Sequence, residues 1–299
     1  MAHQDNIAPL EPVAPKPATI LVRRALRNVS LMASISILTL IVICAIFAPQ
    51  IATHDPYLQD LANRFVVPFW MKGGSWDHIL GTDHLGRDYF SRLIYGARIS
   101  LMIGLFTVLV SGTIGTALGL SAGYFGGRVD ALVMFLITVR LSMPVLLVAL
   151  AVVSLYGGTL KVVIGVLGLL LWDRFAVVIR TTTQQIRSQD YITSAEAMGC
   201  SPLRIMIQEV LPNLMNNLIV IATLEMAAAI ITEAGLSFLG LGVPPPEPSW
   251  GLMIAEGKNM LLFMPWVITL PGIALFTLVF AINMVGDGIR DVTTPESRN

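Results

Sequence analysis

Long stretches without a formal charge are the feature that most constrains how this chain folds. No Asp, Glu, Lys or Arg lies between Arg27 and Asp55, or between Arg98 and Arg128. A helix needs about 20 mostly apolar residues to cross the hydrocarbon core of a bilayer. Only 13% of the residues are charged and 55% are hydrophobic, so the chain lacks the polar surface of a soluble domain. We therefore expect lipid to cover much of it.

The uncharged stretches predict an all-α polytopic membrane protein with six membrane-spanning helices. We place these helices at residues 29–48, 100–122, 140–157, 161–179, 214–239 and 266–286. The fourth is the least apolar because it contains Asp173 and Arg174, which we expect near its aqueous end. The first apolar stretch is too long for a cleaved signal peptide.

Lysine and arginine predict the orientation, because they are enriched in cytoplasmic segments. Most of the 19 Lys and Arg residues face the cytoplasm when the N-terminus is placed there. An even number of spans then returns the C-terminus to the same side. We expect cytoplasmic tails at residues 1–28 and 293–299, with the proline-containing residues 1–20 disordered.

Two external loops are predicted. Residues 49–99 end in an amphipathic helix from Asp83 to Arg98, which is either a surface helix at the lipid boundary or a docking surface for an external partner. Residues 240–266 contain three consecutive prolines, and we expect Trp250 and Trp266 at the membrane–water boundary.

Residues 180–213 predict a cytoplasmic pair of short helices joined at Gly199, where a side chain would restrict a sharp turn. Ser201 suits a helix cap, and Pro202 suits the first helical position. We expect Ile207 and Leu211 to anchor this segment and Pro212 to end it. An ordinary helical hairpin and a knob held by a partner protein fit the pattern equally well.

Two patterns lie within the spans. Glycine recurs at every fourth position at Gly115, Gly119, Gly123 and Gly127, which predicts close helix–helix approach. Glu225 and Glu233 are costly in lipid, so we expect both to face protein or water as functional candidates. For Glu233, a hydrogen-bonded packing role near the end of the span is almost as plausible.

Several motifs are missing from the sequence. None of the four lysines completes a phosphate-binding G-x-x-x-x-G-K-[ST] loop, and the four histidines form no evident metal-ligand cluster. Cys44 and Cys200 are not expected to pair, and no G-x-S-x-G motif occurs. A membrane-embedded enzyme is therefore poorly supported. The net charge of zero argues against a nucleic-acid partner.

The segment YITSAEAMGCSPLRIMIQEVLPN, residues 191–213, resembles the EAA loop of permease subunits of bacterial ABC importers. Gly199, Leu211 and Pro212 have the spacing of that motif. Its opening Glu-Ala-Ala aligns with Thr193, Ser194 and Ala195, so the acid that names the motif is absent.

Further segments resemble one family, the dipeptide/oligopeptide/nickel permeases, and its DppC/OppC-like subunit in particular. They are GTDHLGRDYFSRLIYGARISL (81–101), AGYFGGRVD (122–130), TEAGLSFLGLGVPPPEPSWG (232–251) and NMVGDGIRD (283–291). The resemblance implies a type I ABC importer permease fold, with residues 100–292 as the transmembrane domain, in a bacterial inner membrane.

The resemblance also implies partners and a mechanism of alternating access. A second, DppB/OppB-like permease completes the path, two cytoplasmic ATP-binding subunits hydrolyse ATP, and a periplasmic solute-binding protein delivers the cargo. This chain would bind no cofactor. The implied ATPase-coupling residues are Thr193, Ala195, Gly199, Pro202, Ile207, Leu211 and Pro212.

Di- or oligopeptides are the cargo that the resemblance favours, while nickel chelates, glutathione and opines stay open as alternatives. Glu225 and Glu233 are the candidates for lining the path. A stand-alone secondary transporter with Glu225 as its ion site is a rival interpretation, but such a carrier has no reason to keep an EAA-like loop.

Overall fold

The computed structural model describes residues 23–293, a stretch that is mostly helical and contains no β-strand. Most of the tails predicted at residues 1–28 and 293–299, including the disorder expected at 1–20, lies outside this stretch. The α-helices are α1 Val29–Ile46, α2 Ala48–Ile51, α3 Tyr89–Phe125, α4 Gly127–Leu141, α5 Val145–Tyr156, α6 Leu160–Leu170, α7 Asp173–Arg187, α8 Asp190–Ala197, α9 Pro202–Ile205, α10 Leu211–Phe238, α11 Trp250–Gly257 and α12 Trp266–Thr293.

Five helical stretches within the described residues are long and apolar enough to cross a bilayer. They are Val29–Ile46, Tyr89–Phe125, Leu160–Arg187, Pro202–Phe238 and Trp266–Thr293. Helices α4 and α5 pass the same test together, although they meet at an angle of 81°. The predicted all-α membrane fold is thus confirmed, with five spans or six if the bent pair counts as one.

The start of α3 corrects the predicted boundary between the first loop and the second span. We expected an amphipathic helix from Asp83 and a separate span from residue 100, but one helix of 37 residues runs from Tyr89 to Phe125. It begins there because an oxygen of the Asp88 carboxylate accepts a hydrogen bond from the backbone N–H of Ser91 at 2.8 Å. The segment before Tyr89 is therefore loop.

The predicted third span, residues 140–157, is wrong at its start. Arg140 lies in the last turn of α4, and Pro144 precedes the first residue of α5. A proline drives the residue before it away from helical geometry, so the chain bends here. The guanidinium of Arg140 donates to the carbonyl of Leu170 and lies 3.6 Å from the carboxylate of Asp173.

The predicted fourth span, residues 161–179, lies within one longer helical stretch. Helices α6 and α7 together form the span Leu160–Arg187. Asp173 begins α7 and is 4% exposed, so protein atoms rather than water surround it. The first residues of the polar connection predicted from residue 180 are therefore helical, as far as Arg187.

Helices α3 and α7 approach each other along the predicted glycine face. A Cβ on Gly119 would lie 2.5 Å from the carbonyl oxygen of Ala176, and one on Gly115 or Gly123 would lie 2.4 or 2.6 Å from a carbonyl oxygen of the same segment. The predicted close approach is confirmed for these three glycines. It is wrong for Gly127, which begins α4 with a φ of +50° and has no atom within 4 Å of a built Cβ.

Candidate functional site

A helical hairpin, residues 190–210, lies at the end of the molecule where α3 ends. We call this the hairpin end. The opposite end, where α3 begins, contains the loop 52–88 and α11, and we call it the loop end. The Tyr124 hydroxyl in the last turn of α3 donates a 3.0 Å hydrogen bond to a carboxylate oxygen of Glu196 in the hairpin.

The turn of the hairpin forms at Gly199, as predicted. Gly199 has a φ of +81°, which glycine adopts without steric penalty. The N–H of Cys200 donates to the carbonyl of Ala195 at 3.1 Å, and the N–H of Gly199 donates to that of Glu196 at 2.9 Å. These two bonds satisfy carbonyls at the end of α8, as in a Schellman motif.

Buried apolar side chains attach the hairpin to the spans. They are Ile192, Ile205, Met206, Val210 and Leu214 on the hairpin side and Tyr124 and Ile179 on α3 and α7. Burial of this many side chains removes apolar surface from water and resists separation of the hairpin from the spans. The hairpin and these spans therefore form one packed unit.

The tip of the hairpin exposes large apolar side chains. Met198 is 78% exposed, Leu203 63% and Ile207 53%. We expected Ile207 to anchor the hairpin, but its exposure shows that Ile205 and Val210 do so instead. Leu211 is only half-buried.

The helix does not break at Pro212, where we expected the segment to end. Residues Met206–Val210 form a π-helical turn, and the N–H of Leu211 donates to the carbonyl of Met206 five residues earlier. The wider turn accommodates a proline, which has no N–H to donate. The second arm of the hairpin is therefore the first part of the continuous helical stretch Pro202–Phe238.

The remaining coupling candidates also lie on this hairpin. Thr193 and Pro202 are exposed and Ala195 is half-buried. Pro202 occupies the first position of α9, and Ser201 precedes it as the cap residue without a side-chain hydrogen bond. The structure thus brings the predicted residues together, and their role in coupling stays a prediction.

Glu225 lies inside the spans beside an arginine. It is 1% exposed, and its carboxylate accepts a 3.2 Å hydrogen bond from the Arg174 guanidinium. The side chain of Arg174 is 65% exposed on the protein surface. Since a charged side chain in lipid is costly, an exposed arginine within a span is expected to face water or another protein chain.

Glu233 has a different environment two turns along α10. Its carboxylate accepts hydrogen bonds from the hydroxyls of Ser237 at 2.7 Å and Ser249 at 3.1 Å, and it is 1% exposed. Ser249 caps α11, so these bonds hold α11 against α10. The geometry favours the packing role for Glu233 and leaves Glu225 as the candidate for the path.

The loop end contains a buried ionic cluster that the sequence analysis missed. Arg87 and Arg92 are 2% and 0% exposed. Arg87 Nε donates to the Asp83 carboxylate at 2.7 Å, and its terminal nitrogen donates to Glu256 at 3.1 Å. Arg92 contacts the same two carboxylates, with Glu256 at 2.8 Å. This cluster fastens the loop before α3 to α11.

Asp83→Asn is expected to destabilise this cluster at neutral pH and to matter less in acid. Burial alone would raise the pKa of the Asp83 carboxyl, but Arg92, Arg87 and two backbone N–H donors together hold that pKa below its ordinary value. Such a group stabilises the fold above the ordinary pKa of about 4, and the contribution is lost as the pH falls through the lower folded-state pKa.

The measurement is the melting temperature of wild type and Asp83→Asn between neutral pH and pH 3. The deficit of the variant should be constant above about pH 5 and shrink below pH 4. A deficit that does not change with pH would contradict the assignment.

The two tryptophans predicted at the membrane–water boundary are buried within the protein instead. Trp250 is 3% exposed and Trp266 is 8% exposed. The indole N–H of Trp250 donates to the carbonyl of Leu93 in α3 at 2.8 Å. Helix α11 therefore packs inside the loop end as part of the core rather than lying as an interfacial loop.

These features define a class: a polytopic membrane protein with a helical hairpin that packs against its spans. Residues 115–299 match the family described as "Binding-protein-dependent transport system inner membrane component". Residues 17–68 match the "N-terminal TM domain of oligopeptide transport permease C". The chain belongs to the first of these families, and it is a permease subunit of an ABC importer.

Similar proteins cover nearly the whole chain. It is 41% identical to the di/tripeptide transport system permease protein DppC of Pseudomonas aeruginosa, over 91% of this chain and 90% of that protein. It is 38% identical to the glutathione transport system permease protein GsiD of Pectobacterium atrosepticum, over 93% and 90%. A chain of the MetNI methionine ABC transporter, in inward-facing conformations, shares the fold with a TM-score of 0.57 and 19% identity, over 68% of this chain and 97% of that one.

Proposed function

We propose that this permease carries di- or tripeptides across the inner membrane. Two separate ATP-binding subunits drive this transport by binding the hairpin 190–210. The observation that carries the proposal is the continuity of the hairpin with the stretch Pro202–Phe238. A force on the hairpin acts directly on that span, without a flexible linker between them. The names of the similar peptide permeases support the choice of cargo.

The exposed tip of the hairpin suits a protein partner. Met198, Leu203 and Ile207 each expose a large apolar side chain on the hairpin. The buried side of the hairpin is fixed to α3 and α7 by the cluster around Ile205. A partner that pulls on the tip would therefore move α7 and α10 together, which is the rigid-body motion that alternating access needs.

The proposal sets the orientation of the chain. The hairpin end faces the cytoplasm, where ATP-binding subunits are available, and the loop end faces the periplasm, where a solute-binding protein would dock. Both termini are then cytoplasmic. Support comes from the Lys and Arg distribution along the sequence.

Arg174 and Glu225 mark the proposed path, at the surface that a second permease subunit would cover. A peptide has a carboxylate and an ammonium group at its ends. The exposed guanidinium of Arg174 offers a hydrogen-bond donor for the peptide carboxylate. The buried Glu225 carboxylate orients that guanidinium by accepting a hydrogen bond from it. Transport needs weak, reversible contacts, so this pair would guide the cargo rather than hold it tightly.

Arg174→Gln is expected to lower peptide uptake at least tenfold and to destabilise the protein by about 1–3 kcal/mol, because the buried Glu225 carboxylate loses the donor that pairs with it. The double variant Arg174→Gln/Glu225→Gln removes the unpaired charge. It should recover most of the stability without recovering uptake. Arg128→Gln, an exposed arginine in α4, is the matched control.

Melting temperature and uptake are measured on the assembled transporter in proteoliposomes. Recovery of both properties together in the double variant would show that the pair is only structural.

The cargo is tested by ATP-driven uptake of a labelled dipeptide into proteoliposomes that contain the permease pair, the ATP-binding subunits and the binding protein. We expect uptake that unlabelled di- and tripeptides abolish. Glutathione is the second candidate because glutathione permeases are 38% identical to this chain. Uptake of labelled glutathione without uptake of the labelled dipeptide would select glutathione and reject general peptide transport.

A further inference from the structure

Two histidines that are distant in the sequence meet at the loop end. The rings of His54 and His78 have centroids 4.7 Å apart. His78 Nδ1 lies 2.9 Å from an oxygen of the Asp88 carboxylate, and His54 Nδ1 lies 3.7 Å from the same oxygen. We expected no metal-ligand cluster among the histidines, because neither a motif nor a regular spacing joins residues 54 and 78.

The Asp88 carboxylate is held in a fixed orientation. One of its oxygens accepts hydrogen bonds from the N–H and the hydroxyl of Ser91, at 2.8 and 2.7 Å, and from the Thr53 hydroxyl at 3.3 Å. Its other oxygen faces the two histidines. Asp88 is 2% exposed, so Ser91 and Thr53 act as the outer hydrogen-bond partners that typically orient a metal ligand.

Asp77 completes the arrangement from the solvent side. Its carboxylate lies 3.8 Å from His54 Nε2 and 3.9 Å from His78 Nε2. When Nδ1 of a histidine binds a metal ion, Nε2 carries the proton and benefits from a nearby carboxylate. Both imidazoles thus direct Nδ1 toward the Asp88 oxygen and Nε2 toward an acid.

We infer that His54, His78 and Asp88 form a binding site for a divalent transition-metal ion of the zinc class. The three ligand atoms lie within 4.8 Å of one another, which small side-chain movements convert into coordination distances of about 2.0–2.2 Å. Two imidazoles and one carboxylate favour Zn²⁺ over Mg²⁺ or Ca²⁺, which prefer all-oxygen sites. Half-buried His54 leaves a fourth position open to water.

A bound ion would fasten the loop to the start of α3. His54 and His78 belong to the loop 52–88, whereas Asp88 is the cap of α3. The ion would add a cross-link to the hydrogen bonds that already join Thr53, His54 and His78 to Asp88 and Ser91. The inference does not depend on the transported cargo or on the orientation of the hairpin.

A neighbouring group of potential ligands serves as the internal control. Asp83, His84 and Glu256 also lie within 4.8 Å of one another. Their carboxylates, however, are paired with Arg87 and Arg92, and those positive charges oppose a cation. His84 is therefore expected to contribute nothing to metal binding.

The test titrates Co²⁺, and then competing Zn²⁺, into the assembled transporter purified without a polyhistidine tag. We expect one saturable Co²⁺ site with the visible absorption of a four-coordinate ion, displaced by Zn²⁺ but not by Mg²⁺. His54→Gln and His78→Gln should each weaken binding at least tenfold, whereas His84→Gln should bind like wild type. Absence of saturable Co²⁺ binding to wild type, or unchanged binding by His54→Gln, would overturn the inference.

A second measurement uses wild type alone, so it does not depend on whether a variant folds. Zn²⁺ should raise the melting temperature of wild type, because a ligand that binds only the folded state stabilises it. If Zn²⁺ leaves that temperature unchanged at saturating concentration, the site does not exist.

Discussion

Gly119→Leu is expected to abolish the folded permease, and Gly119→Ala to weaken it measurably. A Cβ at this position would lie 2.5 Å from the backbone oxygen of Ala176. Backbone cannot rotate away as a side chain can, so α3 and α7 must separate, and overpacking of this kind costs about 1–3 kcal/mol or more. Separation would also open the surface on which the hairpin rests.

The measurement is the yield of monodisperse protein in detergent and its melting temperature. Gly165→Ala is the matched control, because no atom lies within 4 Å of a Cβ built on that helical glycine. It should behave like wild type. Equal melting temperatures for Gly119→Ala and Gly165→Ala would refute the close packing of α3 against α7.

Gly199→Asp is expected to leave the protein inserted and folded but to lower peptide uptake at least tenfold while ATP hydrolysis continues. No atom lies within 4 Å of a Cβ on Gly199, and aspartate is among the residues that tolerate positive φ. The change therefore adds a charge and bulk at the hairpin tip, and the positive φ adds local backbone strain of about 1–2 kcal/mol, which the packed hairpin is expected to tolerate. Its effect reports on the partner that we propose to grip the tip.

Gly199→Asn separates the effect of charge from the effect of size, because asparagine matches aspartate in size and in tolerance of positive φ but is uncharged. We expect uptake by Gly199→Asn to lie between those of wild type and Gly199→Asp. Both activities are measured in proteoliposomes that contain the assembled transporter. Normal ATP-driven uptake by Gly199→Asp would contradict the coupling role of the hairpin.

The sequence predicted the features that depend on local composition and spacing. Apolar stretches indicated the spans, Gly199 indicated the turn, and Gly115 and Gly119 indicated a close helix contact. Each of these follows from one residue type at a regular position along one helix or turn. The family resemblance added the permease fold, which the match to 62% of the chain (residues 115–299 of 299) supports.

The errors arose where contacts between distant segments decide the structure. Asp173 was expected near water because it is charged, but Arg140 on another helix compensates it inside the spans. Trp250 was expected at the membrane boundary, but its N–H reaches the carbonyl of Leu93 in α3. Pro212 was expected to end the segment 180–213, but a π-helical turn accommodates it and the helix continues. The structural propensity of a single residue does not reveal which distant residue it will contact.

The ionic cluster and the histidine pair at the loop end could not be predicted for the same reason. Glu256 lies far along the chain from Arg87 and Arg92, and only the packing of α11 against α3 brings them together. The available signal was the density of charged residues in GTDHLGRD next to a span. Such density is unusual where lipid is near, and it indicates internal pairing.

The central claim is that the hairpin 190–210 lies in the cytoplasm, within reach of ATP-binding subunits. The most direct test places a single cysteine at the exposed Met198 in a Cys44→Ala/Cys200→Ala background and labels it with a membrane-impermeant maleimide. The account predicts labelling in inside-out membrane vesicles and none in intact spheroplasts. Labelling of spheroplasts would place the hairpin on the periplasmic side, where no ATP-driven subunit could reach it, and would contradict the account.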